Sequence, residues 1–302
     1  MSLRIIAAAA LALASIGWRT AAAAEWLYVA SSPSAFGAAP AAGGHLYRVD
    51  LPGGKPKPVG ALRVSGMPIT VTGLADQPIV GTLYGITSED SPNHPRSLVV
   101  IDPKDASATV VGKLGLAGSD ISFDKHGTLY IWLRETSQVG TVSLKTGEAR
   151  PVGPTKASGE PGGIAIDNGG RVYVISSGAT GSLDQIDSVN GRARKGPALE
   201  GAPYPAGINA ISIADDGRIF ALNSNRGVPA KTALVQIDPA NGHVTKIVDL
   251  PDDADALVML ETPWSAAEFF SSTLGITLVA GIVALVLVLL LVLRTGRRPR
   301  SA

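Results

Sequence analysis

Side chains with oxygen donors stand at intervals along this sequence, each at or just ahead of a short apolar run. They are Thr70, which shares its segment with Met67, then Ser119 and Asp120, Glu160, Asn209, and the group Asp252, Asp253 and Asp255. Carboxylates and amides brought together from such separated positions can bind a hard cation such as calcium through oxygen. A pair of carboxylates at the right separation can instead run acid and base chemistry on a glycan. The candidate ligand residues are therefore Asp120, Glu160, Asn209, Asp253 and Asp255. A plainer reading stands beside this one, because Asp, Asn and Ser are turn formers whose side-chain oxygens cap nearby backbone amides. Asp252, Asp253 and Asp255 lack the spacing and the glycine of an EF-hand loop.

Other reaction chemistries find little support. The chain has no Cys, which removes disulfides, thiolate metal sites and cysteine nucleophiles. The four histidines, His45, His94, His126 and His243, lie in or beside turn-like strings and share no metal-ligand spacing. The serines at Ser31 and Ser176 are not set in a G-x-S-x-G elbow. The glycine string at Gly159 does not join a strand to a helix, so it is read as a turn and not as a nucleotide site.

Bringing the candidates together requires a repeated scaffold, and residues 25–262 contain one. A strand-like phrase recurs at Leu27 (LYVASS), Leu83 (LYGITS), Leu129 (LYIWLR), Val172 (VYVISS) and Ile219 (IFALNS), at spacings of 56, 46, 43 and 47 residues. Four of the phrases follow a glycine turn: GTLY, GTLY, GRVY and GRIF. Three further segments recur in register. One begins at Leu46, Leu98, Thr141, Leu183 and Leu234. A weaker one lies near Val59, Val110, Val152, Ala193 and Val244. The third begins at Val71, Ile121, Ile164, Ile211 and Ala256. Partial alternation of apolar and polar residues marks each as a strand. Four strands per unit and a period near 45 predict an all-β propeller. With the Val71-type segments innermost, the chain starts on the second strand of a blade. The segment at Ala256 then supplies that blade's inner strand and closes the ring. Twenty strands give five blades. Six or seven follow if a degenerate unit hides in 31–45, a stretch that otherwise reads as a loop.

The strings TGLA…GTLYGI and LVVIDP…TVVG resemble propeller repeats of the NHL and YVTN type over roughly Glu25 to Thr262. The resemblance implies the fold alone. Such propellers serve as scaffolds, as receptors and, less often, as enzymes, and no catalytic set carries over to these positions.

The two ends read differently. Arg4, the apolar stretch 5–16 and the small residues Ala22–Ala24 form an export-signal pattern over 1–24, with an uncleaved anchor as the alternative. Thr273 to Leu293 carries no charge, and 21 helical residues at ~1.5 Å each match the ~30 Å hydrocarbon layer. Arg294, Arg297, Arg298 and Arg300 follow, which predicts a cytoplasmic tail over 294–302. Residues 263–272 become a juxtamembrane linker, and they contain neither LPxTG nor a clear PEP sorting motif. Between the basic ends, residues 25–293 hold 20 basic against 25 acidic side chains, which disfavours nucleic acid as a partner.

The resulting expectation is an extracytoplasmic β-propeller on a single C-terminal transmembrane helix at the bacterial cytoplasmic membrane. It would act as a non-catalytic scaffold for protein or ligand binding. Its partners would be the bilayer through 273–293 and an envelope or membrane protein. The alternative is a lactonase or glycan-active hydrolase using carboxylates at the propeller mouth, with calcium as the one cofactor that reading admits. A redox propeller is disfavoured, since neither a CxxCH haem motif nor a tryptophan blade signature is present.

Overall fold

The repeated glycine sets the geometry of each unit. Gly81, Gly127, Gly170 and Gly217 all take a positive φ between 66° and 88°, where a side chain is disfavoured. Each turns the chain from an inner strand into the apolar phrase that follows. The computed structural model describes residues 25–33, 43–153, 160–177 and 181–260.

In chain order the strands begin with β1 (Trp26–Ser31), β2 (His45–Asp50) and β3 (Lys57–Ala61), then a short ribbon of β4 (Arg63–Val64) and β5 (Met67–Pro68). β6 (Val71–Gln77), β7 (Thr82–Thr87), β8 (Ser97–Ile101) and β9 (Ser107–Lys113) follow. The third group is β10 (Gly118–Phe123), β11 (Leu129–Leu133), β12 (Gln138–Val142) and β13 (Ala149–Pro151). The fourth is β14 (Glu160–Ile166), β15 (Val172–Ser177), β16 (Leu183–Ile186) and β17 (Ala193–Arg194). The last is β18 (Ile208–Ile213), β19 (Ile219–Ser224), β20 (Thr232–Ile237) and β21 (Val244–Asp249), before β22 (Ala254–Leu260).

These strands form five sheets, the blades of an all-β propeller. The first blade has the order β22-β1-β2-β3, so the last described strand pairs with the first, with Trp26 opposite Leu260 and Tyr28 opposite Val258. The ring is closed by the two ends of the described chain, as the repeat register predicts. Four blades have four strands and the second has six. Its added ribbon, β4 and β5, turns at Ser65 and Gly66 and pairs in parallel with the outer strand β9. Two-residue strands are too short for a periodic signal, which is why a count of twenty strands missed them.

Burial explains why the inner strands read as nearly continuous apolar runs. A blade's inner half is covered on both faces by its neighbours, so β1, β19 and β22 are buried along almost their whole length. The outer strands β9 and β21 alternate or face solvent. The buried side chains fall into five clusters, one in each gap between neighbouring blades. Tyr28 and Leu46 of the first blade meet Leu74 and Ile101 of the second. On its other side the first blade's Leu27 and Leu257 meet Phe220 and Leu222 of the fifth. Trp132, which is fully buried, fills the gap between the third and fourth.

The membrane expectation is corrected. None of the described residues forms an α-helix, and no helix among them is long and apolar enough to cross a membrane. Residues 273–293, where the sequence reading sets the helix, lie outside the described residues, as do 1–24, 263–272 and 294–302. Length and hydropathy state what a segment is able to cross; they do not place it in a bilayer. The architecture that stands is the propeller. The transmembrane topology, the bilayer contact, the membrane localisation and the envelope or membrane-protein partner all rested on that helix, which none of the described residues supplies.

Candidate functional site

Five inner strands, β6, β10, β14, β18 and β22, surround the propeller axis. Each begins on the face where the chain crosses between blades, and β6, β10, β14 and β18 end on the opposite face at a hairpin, where β22 reaches the end of the described residues. The two ends of this barrel of edges differ in chemistry.

At the crossover face every inner strand carries a bulge at the same place. Pairing with the second strand skips Thr72 in β6, Ser119 in β10, Asn209 in β18 and Asp255 in β22, and is irregular at Gly162–Gly163 in β14. An extra residue bends a strand and re-aims its side chains. Here the bulges support a buried polar hub. The hydroxyl of Thr72 donates to a carboxylate oxygen of Asp255 at 2.7 Å and approaches the Ser119 carbonyl at 3.2 Å, joining three inner strands. Asp120 is fully buried and its carboxylate accepts three backbone amides: Ile121 at 2.9 Å, Ile164 of β14 at 3.0 Å and Ile211 of β18 at 3.3 Å. An inner strand has no neighbour on its axial edge, so its amides there need side-chain acceptors. Asp120 serves that need for two neighbouring blades at once.

Close backbone approach permits this hub. A Cβ on Gly73 would lie 2.9 Å from the Cα of Asp120, and one on Gly163 would lie 2.5 Å from the Ile211 nitrogen. Burial pushes the Asp120 carboxyl well above the ordinary carboxylate range, against the pull of its three amide donors. Burial likewise raises Asp255 to about 6, with the Thr72 hydroxyl and the charges of Arg134 and Arg226 acting in the other direction.

The sequence candidates therefore occupy distinct settings. Asp120 and Asp255 lie inside the hub. Asn209 is buried at its bulge, and its amide nitrogen has no hydrogen-bond partner among the described residues. Asp253 has φ +61° and accepts the Ala230 amide at 2.7 Å, which fastens the last crossover. Its neighbour Asp252 pairs with Lys231 on the surface at 2.7 Å. Glu160 opens β14, and its side chain lies outside the described ones. Among the described residues no group of three or more His, Asp or Glu side chains is placed to hold a metal ion.

The aspartates that recur after the inner strands cap turns. Asp124 accepts the amides of His126 and Thr128, and Asp167 those of Gly169 and Arg171. In the fifth blade this role passes to Asp216, which accepts from Arg218, while Asp215 accepts instead from the Asn168 side chain at 2.8 Å. Asp102, Asp187 and Asp238 cap the outer hairpins in the same manner.

The hairpin face holds a feature that the sequence reading did not single out. A cavity of about 530 Å³ opens on the axis there, lined by residues from all five inner strands. Its wall contains one set of equivalent positions, Asp76, Phe123, Ile166, Ile213 and Met259, which pair with the first residue of each recurring apolar phrase, Leu83, Leu129, Val172, Ile219 and Leu27. Four are large and apolar, and one is a carboxylate. Ser122 and Ser212, also on the wall, accept the amides of Ile166 at 3.1 Å and Met259 at 2.9 Å, so their hydroxyl oxygens tie adjacent blades together. The hairpin after β6 is one residue longer than those after β10, β14 and β18. It carries Ile79 and Val80, 66% and 71% exposed, to the rim. A carboxylate in an otherwise apolar ring was a detectable signal. It required aligning inner strands residue by residue, and the longer hairpin shifts that alignment by one.

No protein-family model matches the chain, and no curated protein matches it either. Solved structures do. A chain of a nidogen/laminin complex superposes with a TM-score of 0.52 at 11% identity, covering 78% of this chain and 98% of that one. A Bacteroides caccae protein of unknown function gives 0.49 at 15% identity, covering 79% and 99%. TolB from Acinetobacter baumannii gives 0.47 at 18% identity, covering 76% of this chain and 54% of its own. The first of these bears on the fold, and at 11% identity on the fold alone.

Proposed function

We propose that this protein is a non-catalytic binding propeller whose ligand site is the axial cavity on the hairpin face. The observation that carries the reading is the division of labour between the two ends of the axis. The carboxylates at the crossover end, Asp120 and Asp253, are engaged by backbone amides. The opposite end opens into about 530 Å³ of space walled by apolar side chains from the inner strands together with Asp76, Asp124, Lys125, Asp167 and Asp215. That volume falls within the ~300–1,000 Å³ typical of small-ligand sites. A rigid ring with a concave mouth lined about equally by polar and apolar surface suits recognition, since a site assembled from five strands loses little freedom on binding. Hydrolysis by Asp120 and Asp253 would need those carboxylates released from the amides that hold the blades together.

The test is photo-crosslinking of full-length protein with a library of small apolar fragments bearing a diazirine, followed by peptide mapping. Labelling is expected to concentrate on 74–81, 121–125, 211–215 and 258–259. Labelling confined to the crossover face, or scattered over the surface in proportion to exposure, would overturn the reading.

A further inference from the structure

The cavity wall breaks its own five-fold pattern at one place, and that break specifies a ligand. Asp76 stands where the other blades have Phe123, Ile166, Ile213 and Met259. Four blades thus show that the fold needs only apolar bulk at this position. The Asp76 carboxylate has no hydrogen bond or ion pair among the described residues. Burial, the one cause acting on it, raises it to about 6. A desolvated carboxylate without a partner disfavours the folded state and is commonly met where a ligand supplies the opposite charge.

The remaining charged groups on the cavity wall are Asp124, Lys125, Asp167 and Asp215. Lys125 is exposed, and its charge does not register on Asp76. Asp124 and Asp167 face their own turns, and Asp215 accepts from Asn168. Asp167 also pairs with Arg171, so the mouth stays net negative, and Asp76 is the half-buried acid on its wall without a partner among the described residues.

We infer that the axial cavity binds an organic amine, an ammonium group on an apolar body, with the Asp76 carboxylate as its counter-ion and Phe123, Ile166, Ile213 and Met259 enclosing the apolar part. The inference rests on the cavity being the ligand site, as proposed above. An ammonium in this setting gains a charge-assisted hydrogen bond in low dielectric, while the ring buries its hydrocarbon. Ile79 and Val80 on the longer hairpin extend the apolar surface beside the same strand that carries Asp76.

Three probes of one shape separate the ideas: 4-phenylbutylamine, 4-phenylbutanol and 4-phenylbutyrate, titrated into full-length protein by calorimetry at pH 8. The amine is expected to bind at least tenfold more tightly than the alcohol, with the acid weakest. Asp76→Asn should remove that preference and leave alcohol binding unchanged. Equal binding of all three probes in the cavity would overturn the amine assignment and leave the cavity reading intact. Failure of every probe to bind would overturn both. Asp76→Leu supplies a measurement independent of any probe. It completes the apolar ring, so its melting temperature should equal or exceed the parent's, whereas a loss of several degrees would make the carboxylate structural and sink the inference.

Discussion

Replacing Asp120 with alanine should loosen three blades at once. The carboxylate accepts the amides of Ile121, Ile164 and Ile211 at 2.9, 3.0 and 3.3 Å, in a place with no solvent exposure. Each buried amide left without an acceptor costs ~1–3 kcal/mol, so three together cost roughly 3–9 before any compensation. The longest bond is the weakest, and removing a wholly buried acid returns its desolvation cost. A net loss of about 2–4 kcal/mol is therefore expected, a large part of the ~5–15 that holds a domain. Asp120→Asn should fall between parent and alanine. Its single oxygen can serve Ile164 and Ile211, while its amide group then faces the Ile121 N–H and cannot accept from it. Urea unfolding of the full-length protein measures the loss. Hydrogen exchange locates it, since protection of the Ile164 and Ile211 amides should drop more than that of amides in β7 or β8. If Asp120→Ala unfolds within ~0.5 kcal/mol of the parent, the usual range of a surface change, and those two amides stay protected, the hub is not what couples the blades.

Two further outcomes follow from the same axis. Asp255 carries a folded-state pKa of about 6 against 3.8 unfolded, so the folded protein holds this proton more tightly. That contribution is complete below pH 3.8 and fades as pH rises through 6; two units correspond to roughly 3 kcal/mol. Asp255→Asn should match the parent near pH 4 and exceed it at pH 8 in urea midpoint, and a constant difference across that range would contradict the assignment. Gly163→Ala places a Cβ 2.5 Å from the Ile211 nitrogen, against backbone that cannot swing aside. It should cost ~1–3 kcal/mol or more by thermal or urea unfolding, and a neutral result would mean that β14 and β18 can separate freely.

Much of the fold is legible in the residues. The glycine before each apolar phrase needs a positive φ, and that recurrent demand marks the hairpin of every blade except the one that the chain ends complete. The register of the phrases then predicts that β22 pairs with β1, which a reader can deduce before any coordinates exist. The ribbon at Arg63–Pro68 is illegible because its strands are too short to show a period. The axial chemistry is harder. Asp120 looks like a turn residue or a ligand by type. Its actual role depends on amides 44 and 91 positions away, which local pattern cannot reveal. Asp76 is hidden for a different reason. Its polarity matches the turn that follows, and only the strand pairing opposite Leu83 reveals that it belongs to an apolar ring. The apolar run at 273–293 is legible as a segment able to cross a membrane, but it lies outside the described residues and carries none of the functional reading.

The closure of the first blade also dictates an order of events for the newborn chain. β1, β2 and β3 are made first, yet the strand that lies inside them, β22, is made after every other strand described. Trp26 meets Leu260 only after 233 intervening residues have been synthesised. Pairings that distant form slowly, because the chain must close a long loop before any contact rewards it. Until then the axial edge of β1 is unpaired, and Leu27 and Val29, fully buried in the finished ring, remain exposed. Blades two to five can each assemble from hairpins as they emerge. The first blade waits as an open edge, so it is the place where a chaperone would hold this chain, and where a second unfinished copy would do the most harm.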